Sequence, residues 1–194
     1  MQATIGLSVA DRIGLPRSKV MDALLVISGA ALVSLLAQIR IPLPFSPVPI
    51  TGQTFGVLLI GAGLGAGRGA ASLALYLGLG AVGLPVFAGG AGGLARFTGP
   101  TAGYLIGFVA AGWLVGRLAE LGWGHGVRSS VPLFLIGQAV MYLFGVGWLA
   151  TFIGLPSALV QGLLPFLPLD GIKVGLAAAV LPSTWQLIGD IPRN

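Results

Sequence analysis

The chain contains no cysteine, which removes disulfides, thiolate metal sites and cysteine nucleophiles from consideration. It is nearly as poor in charge: 8% of its 194 residues are Asp, Glu, Lys or Arg, against roughly a quarter in an ordinary soluble domain. A single histidine, His125, lies between two glycines and furnishes neither a multi-histidine metal site nor a serine-histidine pair. The stretch GGAGGLARFTG has the glycine density of a phosphate loop, but it lacks the closing GK[ST] and follows no strand-helix pattern, so ATP must bind elsewhere. Its ten Lys and Arg residues are scattered singly, without a basic cluster or stacking aromatics, which argues against nucleic acid. No nucleophile-base set, metal site or cofactor motif stands out, so an enzyme is disfavoured.

What is present is apolar. Hydrophobic residues make up 56% of the chain and the mean hydropathy is +0.99, so water is not its main solvent. Apolar segments bounded by charge, proline or glycine fall at about 19–38, 51–66, 69–87, 101–118, 130–150 and 169–188. None alternates as a barrel strand would, and backbone groups in hydrocarbon must be satisfied internally. The expectation is one all-α membrane domain over residues 1–194, a bundle of six transmembrane helices. Between the last two, Thr151 to Pro168 is apolar yet carries Pro156, Pro165 and Pro168, which predicts a short interfacial helix.

Orientation follows from the positive charges. With the N-terminus inside, the inner segments hold Arg12, Arg17, Lys19, Arg68, Arg117, Arg128 and Arg193, and the outer loops hold Arg40 and Arg96. Both termini are therefore expected in the cytoplasm, with residues 1–18 as an extension. The apolar run after that extension is as long as a span and has no small-residue cleavage pattern, so it is read as a permanent first helix. Asp11, Asp22, Glu120 and Asp190 fall near or in inner segments, leaving no relay of acids across the membrane.

Membrane helices associate through close backbone approach, which small residues four apart permit. Gly61 with Gly65, Gly103 with Gly107, Gly112 with Gly116 and Gly171 with Gly175 fit that spacing and are read as packing. On the first helix, Ala23, Ala30, Ser34 and Ala37 form a small-residue stripe suited either to internal packing or to a partner helix.

Asp170 and Lys173 carry the main site signal. Three apart, they share a helix face inside an apolar segment, where an ionised side chain costs about 2.5 to 3.5 kcal/mol and normally faces a cavity, a partner or a ligand. The plainer reading is a mutually neutralising pair near the interface. In the six-helix topology their end of helix six is outside, together with the first loop, IRIPLPFSPVPIT, and the third, AGGAGGLARFTGPT. Pro42, Pro44, Pro47 and Pro49 stiffen the first loop into a plausible lid over a cavity. In the third, Gly89, Gly90, Gly92 and Gly93 let backbone approach a ligand, and Arg96 suits a carboxylate. A turn requiring positive φ and an arginine on lipid headgroups are the alternatives.

The string PVPITGQTFGVLL, then LYLGLGAVGLPVFAGGAGGLARFTGPTAGYLIGF, then PFLPLDGIKVGLAAAVLP, closely resembles BioY, the biotin-specific subunit of energy-coupling-factor (ECF) transporters. Specificity lies in the joint order of the three blocks. The resemblance implies a non-enzymatic six-helix subunit of a prokaryotic plasma membrane. Such a subunit captures biotin outside and docks with a transmembrane coupling protein, of EcfT type, driven by two cytoplasmic ATPases. The stripe on helix one would then meet the coupling protein. Biotin offers a ureido group, an apolar ring and chain, and a carboxylate. Asp170 would accept a ureido N–H, Lys173 would donate to a ligand oxygen and Arg96 would hold the carboxylate. The reverse pose, with Lys173 on the carboxylate, also satisfies every charge. Gln53 and Tyr104 each offer a hydrogen bond, and Phe45, Phe87 and Phe97 would wall the apolar part. A self-sufficient facilitator or proton-coupled transporter of a small carboxylate is the alternative function.

Overall fold

The computed structural model describes residues 4–6, 8 and 18–188; most of the 1–18 extension, with Arg12, Arg17 and Arg193, lies outside them. Among the described residues the regular elements are helices and one minimal strand pair. Helix α1 is Lys19–Ala37, started by Ser18, whose hydroxyl accepts the Met21 amide at 3.2 Å. Strands β1 (Arg40–Ile41) and β2 (Ile50–Thr51) pair antiparallel, closing the base of the proline-rich loop. Then follow α2 (Gln53–Ala81), a 3-10 turn at Leu94–Phe97, α3 (Ala102–Glu120), α4 (Val127–Ile153), α5 (Leu155–Gly162) and α6 (Leu167–Ile188).

The range of α2 is continuous in sequence but breaks in direction. Gly65, at φ 83° and ψ 176°, leaves the helical region. Along a straight helix Gln53 and Tyr76 would be about 34 Å apart, yet Gln53 Nε2 donates to the Tyr76 hydroxyl. A Cβ on Gly69 would stand 3.1 Å from Gly61 Cα, where a straight helix would separate the two residues by about 12 Å. The chain therefore reverses at Gly65 into two antiparallel limbs, 53–64 and 66–81. The sequence places the break at residues 67–68 and extends the second limb to Phe87; the helix stops at Ala81, and positive-φ Gly83 turns the chain away.

Glycine lets three limbs meet at that end. A Cβ on Gly61 would stand 2.7 Å from the Gly112 carbonyl oxygen, and one on Gly116 would collide with the backbone of Gly65 and Ala66. Glu120, at the end of α3, accepts the Ala66 amide at 2.9 Å and so caps the second limb of α2. Gly103 and Gly107 likewise seat α3 on Trp148, Phe144 and Met141 of α4. Gly171 and Gly175 do not pack: both are exposed, with nothing within 4 Å of an added Cβ. The interfacial segment predicted after α4 contains α5, which begins at positive-φ Gly154 and carries Pro156 in its first turn.

The surface is as apolar as the core. Val20, Leu24, Ile27 and Leu35 of α1 are exposed, while Ala30, Val33 and Ala37 of the same helix are buried. Among the described residues four helices are long and apolar enough to cross a membrane, and α5 with α6, bent by 52°, makes a fifth candidate. Helices apolar on all sides belong in lipid, and the chain is a multi-pass membrane protein. The same burial divides the small-residue stripe. Ala30 and Ala37 face their own bundle, Ser34 is half-buried with its hydroxyl on the Ala30 carbonyl, and only Ala23 is exposed.

Candidate functional site

At the end opposite Gly65, the start of α2, the start of α6 and the middle of α4 enclose a cavity of about 550 Å³ that the proline-rich and glycine-rich loops also line. Asp170 and Lys173 occupy one face of the first turns of α6, and Gln138 and Tyr142 one face of α4. Asp170 is only 4% exposed. A buried carboxylate needs its lone pairs filled. Its Oδ2 accepts from Gln138 Nε2 at 2.7 Å and from the Tyr142 hydroxyl, and its Oδ1 accepts from Lys173 Nζ at 2.7 Å. Because a carboxylate only accepts, the Gln138 amide must turn its nitrogen inward.

Lys173 is as fully engaged. Beyond Asp170 it donates to the Thr51 carbonyl at 2.8 Å and to Thr54 Oγ1 at 3.0 Å, using all three N–H bonds of an ammonium group. The predicted pair is therefore the centre of a network joining α2, α4 and α6. Gln53 is similarly built in, donating to Tyr76 and accepting from Thr51 Oγ1 at 2.9 Å. Tyr104 lines the cavity with its hydroxyl on the Gly162 carbonyl at 2.7 Å, which ties α3 to the end of α5.

The walls are partly those predicted. Phe87 lines the cavity, set edge-on to Tyr76 with centroids 5.3 Å apart, and Gly92 lines it beside the backbone of Gly83 and Leu84. Phe97 stands behind Phe87, 5.9 Å away, and does not line the cavity. Gly93 does not line it either; its amide donates to the Gly80 carbonyl at 2.7 Å. Phe45 is 59% exposed and does not line the cavity, whereas Val48 of the same loop is buried and lines it. Phe108, Met141 and Phe166 supply the apolar lining instead.

Arg96 lines the cavity, and so does Arg40. Both are exposed, and among the described residues neither guanidinium has a hydrogen bond or an ion pair. The site thus runs from two unpartnered cations at an exposed mouth, past apolar rings, to a saturated ionic cluster in its depth.

The model of the family described as BioY matches residues 9–190. The chain belongs to the BioY family. It is 44% identical over 146 residues to the biotin transporter BioY of Rhizobium etli, an alignment covering 71% of this chain and 78% of the relative. To the probable biotin transporter BioY of Pyrococcus horikoshii it is 42% identical over 162 residues, covering 84% and 94%. A crystal structure of the S-component for biotin from an ECF-type ABC transporter superposes with a TM-score of 0.79 at 30% identity, covering 87% of this chain and 92% of that one. These relatives are named as transporters, and this BioY chain is a transport protein rather than an enzyme.

Sequence reasoning missed Arg40, Thr51, Thr54, Gln138 and Tyr142 in this BioY chain. Gln138 and Tyr142 carried a usable signal: two hydrogen-bonding side chains four apart in an otherwise apolar span, the spacing that puts both on one face. Arg40 was counted only for topology.

Proposed function

We propose that the chain captures biotin at the outer face of a prokaryotic plasma membrane and passes it inward as the S-component of an ECF-type, ATP-driven importer. The reading takes the two limbs of α2 as separate crossings, giving six. It places Lys19, Arg68, Arg117 and Arg128 inside and Arg40 and Arg96 outside, in accord with the excess of positive charge on cytoplasmic segments. The proline-rich and glycine-rich loops then cap the cavity from outside. Energy comes from partners, a transmembrane coupling subunit and two cytoplasmic ATPases, because the chain carries no nucleotide-binding motif.

The observation that carries the proposal is the order of chemistry along one cavity. Two guanidiniums without partners among the described residues stand at the exposed mouth, suited to a carboxylate. Phe87, Phe108, Met141 and Phe166 suit a thioether ring and an aliphatic chain. Asp170 lies buried in the depth and accepts a ureido N–H there, with the half-buried Tyr142 hydroxyl yielding its place. Lys173 exchanges a bond to Thr51 or Thr54 for one to the ureido oxygen. Lys173 has no free N–H, whereas the Arg96 guanidinium makes no hydrogen bond among the described residues, and this favours the pose with Arg96 on the carboxylate.

Titration calorimetry of the purified chain with biotin tests capture, and a flat isotherm at saturating concentration refutes it. Liposomes test energisation. The chain alone should equilibrate biotin at most, and accumulation should require a coupling module with ATP. Uphill uptake by the chain alone under a proton gradient would replace the S-component reading with that of a self-sufficient transporter.

A further inference from the structure

The two arginines at the mouth belong to different loops. Arg40 stands in β1, at the base of the proline-rich loop, in register with Thr51. Arg96 stands in the 3-10 turn that follows the glycine-rich run. Arg40 nevertheless reaches the second loop. Gly89 there has φ +73°, and a Cβ on it would stand 2.7 Å from Arg40 Nη1, so the absence of a side chain gives the guanidinium its seat. Gln38 fixes that loop from the end of α1, accepting the Gly90 amide at 3.0 Å.

Charge makes this arrangement incomplete. Two guanidiniums line one cavity, and the one acid that lines it among the described residues, Asp170, is committed to Lys173, Gln138 and Tyr142. Like charges around a shared space repel, and the repulsion is relieved when an anion enters. A planar fork of donors on each side matches the two oxygens of a carboxylate.

We propose that Arg40 is the second jaw of a carboxylate clamp: Arg40 and Arg96 share the cargo's anionic end, and that shared anion draws the proline-rich loop against the glycine-rich loop. This rests on the reading of biotin as cargo. The clamp makes Arg40 a specificity-determining residue, selecting the free acid over derivatives esterified or amidated at that end. A single anion between two cations leaves one positive charge over at an exposed mouth, so binding weakens as salt rises.

The test is titration calorimetry of the purified chain with biotin and with its uncharged primary amide, at low and high salt, for native protein, Arg40→Gln, Arg96→Gln and the double variant. Native protein should prefer the acid by about a hundredfold, since each jaw makes charge-assisted bonds that discriminate by about tenfold at an exposed site. Arg40→Gln should weaken biotin about tenfold and the amide less than twofold, with a shallower salt dependence. The double variant should bind acid and amide within about threefold of each other. An equal loss for acid and amide in Arg40→Gln, or no loss for either, overturns the clamp while leaving biotin capture standing. Native protein that binds neither compound removes both proposals.

Discussion

Arg68 and Arg117, at the end of the bundle where α2 reverses, each meet an acid, Asp22 at 2.7 Å and Glu120 at 3.3 Å, whereas Arg40 and Arg96 at the cavity mouth meet none among the described residues. Between those ends, Asp170 and Lys173 meet each other and four further groups: Gln138, Tyr142, Thr51 and Thr54. On the proposed reading, the contrast separates charge that holds helices from charge kept for something that arrives. In a low-dielectric surrounding an unpaired ion is costly, so structural ions are neutralised within the fold. Where water reaches, as at the mouth, cations can stand unpaired at little cost, and there they remain free to bind.

The largest effect should come from breaking the saturated cluster. Asp170→Asn leaves the Lys173 ammonium without its counter-charge, and removing one partner of a buried pair costs about 3 to 5 kcal/mol. The expected outcome is a marked fall in detergent melting temperature together with loss of biotin binding by at least about a hundredfold. The double variant Asp170→Asn with Lys173→Met sharpens the comparison, because it removes both charges at once. Stability should recover in part and binding should not; full affinity in the double variant would reduce the cluster to a structural staple.

A staple without any part in binding should behave differently. Glu120 accepts the Ala66 amide at the reversal of α2 and pairs with Arg117, with its side chain only 13% exposed. Glu120→Ala orphans the first amide of the second limb, a loss of about 1 to 3 kcal/mol. Melting temperature should fall while biotin affinity stays within about twofold. A selective loss of affinity without a stability change would contradict the division between the two ends.

How much of this was legible in the sequence depended on the cost of each residue. Asp170 and Lys173 stood out because charges inside an apolar run need a reason, and Arg96 stood out as the one charge in a glycine-rich loop. Gln138 and Tyr142 did not, since a neutral polar residue in a span is cheap enough to pass for packing. Arg40 was visible but ambiguous, because a basic residue in a proline-rich loop also serves topology, and only coordinates place its guanidinium against Gly89. Hydropathy marked the apolar runs, but it carried the second limb of α2 to Phe87 where the helix stops at Ala81, and it missed the turn at Gly65, because the neighbouring Gly67 and Arg68 read equally well as a break. Phe45, Phe97 and the stripe through Ala30 and Ala37 show the remaining gap: spacing states which residues share a face and not what that face meets.

The smallest predicted effect concerns the tip of the proline-rich loop, where the base and the tip should act by different physics. Ser46 turns its hydroxyl to the Gln161 carbonyl at 2.7 Å, joining the loop to the last turn of α5, and accepts the Val48 amide at 3.1 Å within its own turn. Gln161 adjoins Gly162, whose carbonyl holds Tyr104 of the cavity wall, so one turn of α5 anchors both the loop and the wall. A neutral hydrogen bond contributes about 1 kcal/mol, which corresponds to about a fivefold change in a rate that requires breaking it. Ser46→Ala should therefore release bound biotin about fivefold faster in a chase experiment, and Ser46→Thr, which keeps the hydroxyl, should not. The preference for acid over amide should be untouched in both, because on the proposed reading the tip covers the cargo while Arg40 at the base reads its charge. A shifted acid-to-amide ratio in Ser46→Ala would mean that tip and base move as one rigid strap, and the selectivity assigned to Arg40 would then belong to the loop as a whole.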